Sequence, residues 1–180
     1  MKALILTWEG YQDHEVVYPY YRIRELLPES DVCLMANKVG RIYGILGLHM
    51  DSTADISDLK LRTDHYLSEY QLLVLPGGVK SLEKLRQEKE VIAFIHEWNK
   101  RGKLIASTCH GAQLLISARS VGGRKISGYY SIAVDIENAG ATYVDAPFVT
   151  DGNIVSSPHY KWMGEWMGEV MRLFQAGAKP

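Results

Sequence analysis

Cysteine is scarce in this chain: 180 residues carry only two, Cys33 and Cys109. Two thiols cannot form the disulfide framework that staples small secreted domains, so both are expected to be free in a reducing compartment. An excess of charge of one sign is also missing. The formal net charge is -1, and no run of Lys or Arg alternates with aromatics, so nucleic acid is not an expected partner. Long apolar runs are absent too. No segment approaches the roughly 18 apolar residues that cross a bilayer. The first apolar stretch, in "MKALILTWEGYQDHE", is too short for a signal peptide and lacks a small-residue cleavage site. A cytoplasmic protein with no membrane partner is expected. No Gly-x-Gly-x-x-Gly follows a strand and no Gly-x-Ser-x-Gly is present, which argues against a dinucleotide site and a serine-hydrolase elbow. His49, His65 and His96 show no metal-ligand spacing to one another or to the cysteines. No metal or other cofactor is expected.

What the chain does have is ordinary globular material, 47% hydrophobic and 23% charged, enough for a sizeable core in one domain spanning residues 1–180. Short apolar runs, "ALILTW", "DVCLMA", "QLLVLPGG" and "KLIAST", read as buried parallel strands. Between them lie segments with helical spacing. In "HEVVYPYYRIRELL", Val16, Tyr20, Ile23 and Leu27 share a face, with Pro19 predicting a bend or a start. "SLEKLRQEKEVIAFIHEWNKRG" reads as one helix stopped by Gly102. "SIAVDIENAG" is a short helix closed by Gly140, and "WMGEWMGEVMRLFQ" is a C-terminal amphipathic helix. "RIYGILGLHMDSTADI" predicts a hairpin or short edge strands, and "TYVDAPFVTDGNIVSS" two strands about Asp151-Gly152. The alternation predicts an α/β fold, a mainly parallel sheet covered by helices on both faces.

In such sheets ligands bind beyond the carboxyl ends of the strands. Two loops lie there: Pro76-Gly77-Gly78, and the Ser107-Thr108-Cys109-His110-Gly111 joint between strand and helix. A thiol on that joint is pushed out of the sheet, and the following N–H groups favour its thiolate. The same N–H groups can hold a developing oxyanion, and paired glycines let a second backbone approach. Cys33 lies mid-strand in "DVCLMA" and reads as a small core hydrophobe. His14 is expected to face solvent. His159, in "SSPHYKW", fits either a pocket wall or an ordinary loop. Glu9 ends near the cleft, and the Trp and Met residues of the last helix fit packing better than a cofactor site.

Taken in order, "MKALILTWEGYQDHEVVYPYYRIRE", "LLVLPGG", "STCHGAQLLISA", "GRKISGYY", "VDIENAGATYVD" and "VTDGNIVSSPHYKWMGEWM" resemble the ThiJ/PfpI superfamily, in its intracellular protease-like and deglycase-like branch. The resemblance implies a flavodoxin-like three-layer sandwich. It implies that Cys109 is the reactive cysteine, His110 its histidine neighbour, and Glu15 the glutamate whose carboxyl reaches the sulfur, protonated and donating to it. It implies an oxyanion pocket from the backbone of Gly77, Gly78 and His110, with Tyr129 lining the pocket. It also implies a homodimer or higher homo-oligomer. Three departures stand out: Gln12 replaces an acidic residue, Gly128-Tyr129-Tyr130 replaces a Ser-Tyr-Pro, and "VKSLEKLR" is one residue longer than the family's segment. That segment's glutamate completes a Cys-His-Glu arrangement across an interface, and Glu83 is its best match here. The function implied is a cysteine-dependent enzyme whose Cys109 attacks a small electrophile: an aldehyde or glyoxal, an amide or peptide, or an isonitrile. The alternative is an oxidative-stress sensor, or a chaperone-like stress protein, using a redox-active Cys109.

Overall fold

The computed structural model describes residues 1–177. In chain order its elements are β1 (Ala3–Leu6), α1 (Asp13–Arg24), β2 (Val32–Ala36), β3 (Gly40–Tyr43), β4 (His49–Ser52), β5 (Ala54–Asp55), α2 (Ile56–Leu61), α3 (Thr63–Glu69), β6 (Leu72–Leu75), α4 (Val79–Leu85) and α5 (Lys89–Lys100). There follow β7 (Leu104–Thr108), α6 (Ala112–Ser117), β8 (Lys125–Ile126), α7 (Ala133–Asn138), β9 (Thr142–Tyr143), β10 (Val149–Asp151), β11 (Ile154–Ser157) and α8 (Met163–Ala176). Seven strands form one sheet in the order β10-β11-β7-β6-β1-β2-β5. Only the β10–β11 pair is antiparallel. The fold is the expected α/β one, a mainly parallel sheet between helices.

Strands β1, β2 and β6 are apolar at every position because both faces are covered. Leu4 and Leu6 of β1 pack with Leu82, Val91, Phe94, Trp98 and Leu115 on one side. Ala3 and Ile5 pack with Val16, Tyr20, Trp166 and Val170 of α1 and α8 on the other. The two indoles are fully buried and each meets a carbonyl: Trp98 Nε1 donates to Leu104 O at 3.1 Å and Trp166 Nε1 to Val155 O at 3.1 Å. The methionines and tryptophans of the last helix are therefore core, as their spacing predicts.

Two sequence expectations need correction. The segment read as one helix over 81–102 is two. Gln87 and Glu88 tighten to bonds reaching back three residues, onto Lys84 and Leu85, and Glu88 then turns extended at φ -81, ψ 100 to open α5. Pro19 neither starts nor ends α1. It sits inside a helix that begins at Asp13, where Gln12 caps the first turn by accepting the Glu15 N–H at 3.3 Å. The early start fixes Glu15 in the first turn, facing the carboxyl ends of β1 and β6.

Asp13, fully buried, accepts N–H groups from Leu46 and Leu48, both at 2.8 Å. It thereby pins the tip of the β3–β4 hairpin beside α1. Gly111 lets α6 start directly under the sheet: a Cβ there would stand 2.1 Å from the Leu75 carbonyl oxygen. Gly111→Ala is therefore expected to destabilise the protein by about 3 kcal/mol, read as a lowered urea midpoint at constant slope.

Candidate active site

The joint at Cys109 is strained. Cys109 has φ +56, a left-handed conformation that a non-glycine residue adopts at a cost of about 1–2 kcal/mol. Three contacts hold it. The Tyr129 N–H donates to Cys109 O at 3.1 Å. The segment Cys109–Gly111 forms one tight turn ahead of α6. Gly77 closes the other side, where an added Cβ would lie 2.5 Å from Glu15 Oε2 and 2.9 Å from Cys109 Cβ. Gly78 must be glycine for two reasons: its φ is +108, and a Cβ would meet the backbone of Tyr11 and Gln12 at 2.6 to 2.8 Å.

Cys109 is 6% exposed and Glu15 is fully buried. Gly77 N–H donates to Glu15 Oε2 at 2.6 Å, while Oε1 is buried without such a donor. Burial pushes the carboxyl up to about 7, against opposing hydrogen bonds from Gly77 and Cys109. Burial first, and the charge of Glu15 second, push the Cys109 thiol well above its ordinary range, against a contribution from the His110 N–H. Two adjacent negative charges in this enclosure are thus disfavoured. Below about pH 7 the pair holds two protons and no charge, and above it one proton and one charge. The sequence expectation of a thiol simply depressed by the helix start is corrected accordingly: burial and the Glu15 charge outweigh the backbone donor.

His110 Nδ1 lies 3.4 Å from Cys109 Sγ, and burial lowers its pKa, so the ring is neutral at pH 7. No carboxylate hydrogen-bonds His110 among the described residues. Glu83 is exposed on α4, and its backbone oxygen accepts from Gln87 Nε2 at 2.8 Å. Within its own chain it does not orient the imidazole. Gly77 also departs from its expected role, because its N–H serves Glu15.

Tyr129 stacks on His110, with centroids 4.6 Å apart and planes 28° apart. His159 joins this wall, 6.0 Å from Tyr129. Tyr130, the second tyrosine of the "GYY" departure, flanks this wall 5.7 Å from Tyr129, whereas sequence reasoning missed Tyr160 and left His14 to solvent. His14 is exposed as expected, yet it stacks on Tyr160 at 4.7 Å and takes a hydrogen bond at Nδ1 from Gln12 Nε2 at 3.1 Å. The aromatic doublets "GYY" and "HY" were the available signal. Glu9 pairs with Lys38 at 2.9 Å and has no contact with the cysteine. Cys33 is buried, accepts from Thr53 Oγ1 at 3.7 Å and has its pKa raised by burial, as befits a core thiol. A broad cleft of about 600 Å³ lies elsewhere, between α5 and the end of α6. The perturbed groups and the strained backbone, rather than that volume, mark the reactive site.

No group of three or more His, Cys, Asp or Glu residues is arranged to hold a metal among the described residues, and no described helix is long and apolar enough to cross a membrane.

Comparison with known proteins identifies the family. The DJ-1/PfpI family model matches residues 1–173. Deglycase TK1284 of Thermococcus kodakarensis is 37% identical over 175 residues, covering 97% of this chain and all of that protein. Deglycase PfpI of Pyrococcus furiosus is 34% identical over the same length, again with 97% and 100% coverage. General stress protein 18 of Bacillus subtilis is 34% identical over 147 residues, 82% of this chain and 81% of that one. Among solved structures, a two-domain protein from Anabaena variabilis with DJ-1/ThiJ/PfpI-like and ferritin-like domains superposes with TM-score 0.86 at 28% identity, over 99% of this chain and half of that longer one. A Schizosaccharomyces pombe DJ-1 mutant shares the fold at TM-score 0.84 and 19% identity, over 96% and 91%. On sequence, fold and the Cys109–Glu15–His110 geometry together, the chain belongs to the DJ-1/PfpI family.

Proposed function

We propose that the protein is a cysteine-dependent enzyme of the deglycase type, acting on reactive α-oxoaldehydes or the adducts they form. The observation that carries this reading is the coupled Glu15–Cys109 pair: a buried carboxyl raised to about 7 beside a thiol on a strained joint. A general base with a pKa near the working pH is the efficient choice. The names of the relatives, deglycases at 34–37% identity, support the same reading.

In the proposed reaction Glu15 takes the thiol proton as sulfur bonds to the aldehyde carbon. The carbonyl π pair moves to oxygen, where the N–H groups of Gly78 and His110 stabilise it until Glu15 returns the proton, giving a hemithioacetal. His110 or Glu15 then removes the proton on the former aldehyde carbon. Reprotonation at the neighbouring carbon reduces the ketone as the aldehyde carbon rises to a thioester. Water hydrolyses the thioester and frees the thiol. The sum is R–CO–CHO + H2O → R–CHOH–COOH, with no external oxidant. Among the described residues no carboxylate orients the neutral His110. We include in the proposal a homo-oligomer in which Glu83 of a second copy supplies one.

The test is product identity. With methylglyoxal the expected result is stoichiometric lactate and a transient protein adduct at Cys109 seen by mass spectrometry. Consumption without lactate, or an adduct confined to other residues, would overturn the reading.

The redox alternative has one observation in its favour: a carboxyl raised to about 7 can donate a hydrogen bond to an oxidised sulfur. Oxidation by two equivalents of peroxide would give a sulfinate and two waters. Selective gain of two oxygens at Cys109, without turnover of any carbonyl compound, would favour it.

A further inference from the structure

Five rings from four separate segments line up at the mouth of the site. His110 stacks on Tyr129 at 4.6 Å and 28°, Tyr129 faces His159 at 6.0 Å and 25°, His159 meets Tyr160 at 4.0 Å and 39°, and Tyr160 stacks on His14 at 4.7 Å and 17°. Tyr130 flanks the row, 5.7 Å from Tyr129 and 6.4 Å from His159. The interplanar angles along the row are all under 40°, so the rings present faces more than edges to one another. The core pair Phe94 and Trp98 meets more steeply, at 57°.

The row has a fixed end. It starts on His110, whose Nδ1 is 3.4 Å from the reactive sulfur. A substituent on a carbon bonded to that sulfur therefore extends along the wall of rings. The wall is also uncovered: Tyr130 is 41% exposed and Tyr160 39%. Its histidines are held in one tautomer. His159 Nδ1 accepts the Lys161 N–H at 3.1 Å and His14 Nδ1 accepts from Gln12, contacts that place the proton of the neutral form on Nε2 in each of these two rings. Beside the row stands a positive charge, Lys161 Nζ, 5.7 Å from the Tyr130 centroid. A cationic group would meet that charge, whereas a neutral flat ring stacks freely.

We infer that the site is built for electrophiles carrying a flat aromatic substituent, aryl α-oxoaldehydes above alkyl ones, with Tyr160 and His159 as the specificity-determining residues. This rests on the cysteine chemistry proposed above and adds the class of substrate it serves. One good stacking contact is worth roughly a tenfold preference, and the row offers the substrate ring more than one.

The experiment compares phenylglyoxal with methylglyoxal. Wild type is expected to show a kcat/KM ratio of about 10 or more in favour of phenylglyoxal. Tyr160→Leu, apolar but without a π face, is expected to lose most of that ratio. Tyr160→Phe should keep it, and His159→Leu should lower it. A wild-type ratio near 1, or a ratio that Tyr160→Leu and His159→Leu both leave intact, would overturn the inference while leaving the cysteine chemistry standing. If neither aldehyde is turned over, binding decides. Cys109→Ala protein is titrated with mandelate and with lactate, the aryl and methyl hydroxy acids, and chemical shifts of the His14 and His159 ring protons are followed. Tighter mandelate binding that Tyr160→Leu abolishes supports the platform even though the chemistry has failed. Equal binding of the two acids rejects it.

Discussion

Cys109→Ala is expected to lower kcat/KM for α-oxoaldehydes by about 10³-fold or more, with the protein still folded. The loss is large because no other group can take the sulfur's part. The second cysteine, Cys33, lies mid-strand in the core. His110 is neutral and only 3.4 Å from the sulfur, where it moves protons but does not replace the attacking atom. The fold survives because alanine keeps the backbone contacts of the joint, the Tyr129 N–H to Cys109 O bond among them. The strained φ of +56 persists, since alanine relieves it no more than cysteine does. Cys109→Gly separates the two effects. It is equally inactive, yet it adopts φ +56 without penalty, so its thermal midpoint is expected above that of Cys109→Ala by a few degrees. Steady-state kinetics and melting curves of the two variants check both statements. Activity within tenfold of wild type in either would remove Cys109 from the mechanism.

How much of this was readable beforehand depends on the distance over which each feature is decided. Parallel strands buried on both faces announce themselves as unbroken apolar runs, and β1, β2, β6 and β7 all did. The joint at Cys109 was readable for the same local reason, a strand pattern passing into a helix pattern across one cysteine. The short helices α2 and α3 were not. Their sequence, "ISDLKLRTDHYLSE", is dominated by polar residues, and the few buried ones, Ile56, Leu59, Tyr66 and Leu67, are too sparse to set a period. The split between α4 and α5 was hidden because Gln87 and Glu88 are acceptable helix formers, and the break comes from how the two helices pack.

At the site the same division holds. Cys109 was legible at the joint, the roles of His110 and Glu15 came from resemblance to a family, and the fold brings the three together. That Gly77 serves Glu15 was not readable, since donor and acceptor are separated by 62 residues and only the topology makes them neighbours. The rise of the thiol's pKa was missed for a related reason. A helix start is visible in sequence, whereas burial depth and the approach of Glu15 are products of the finished fold. The row of rings from His14 to Tyr160 spans nearly the whole chain, so it exists only once α1 and the loop before α8 have docked.

Glu15→Gln is expected to make the protein more stable and much less active. For activity, glutamine can still accept the Gly77 N–H but cannot take the thiol proton, so kcat should fall by about 10²- to 10⁴-fold. The wild-type rate is expected to rise with pH through an inflection near 7, as Glu15 becomes available as a base, and the variant should lack that inflection. Alkylation of Cys109 by iodoacetamide should shift in the same experiment. In the wild type the Glu15 charge adds to burial in holding the thiol's pKa up. In the variant that charge is gone and burial remains, so the alkylation midpoint moves to lower pH while staying above the range of a free thiol. Stability runs the other way. The carboxyl goes from 4.5 unfolded to about 7 folded, so between those values the native state binds more protons than the unfolded one. Wild-type stability therefore falls as pH rises from about 4.5 to about 7, by on the order of 3 kcal/mol, and stays reduced above that. Glutamine carries no such penalty. Above pH 7 the variant should melt several degrees higher than wild type, and near pH 4.5 the difference should largely vanish. Urea melts at pH 5 and pH 8 measure this directly. A variant no more stable at pH 8 than at pH 5, relative to wild type, would mean that Glu15 is not the buried ionising group this site is built around. Its position would then reflect packing alone, with no stability given up to hold a base beside the sulfur.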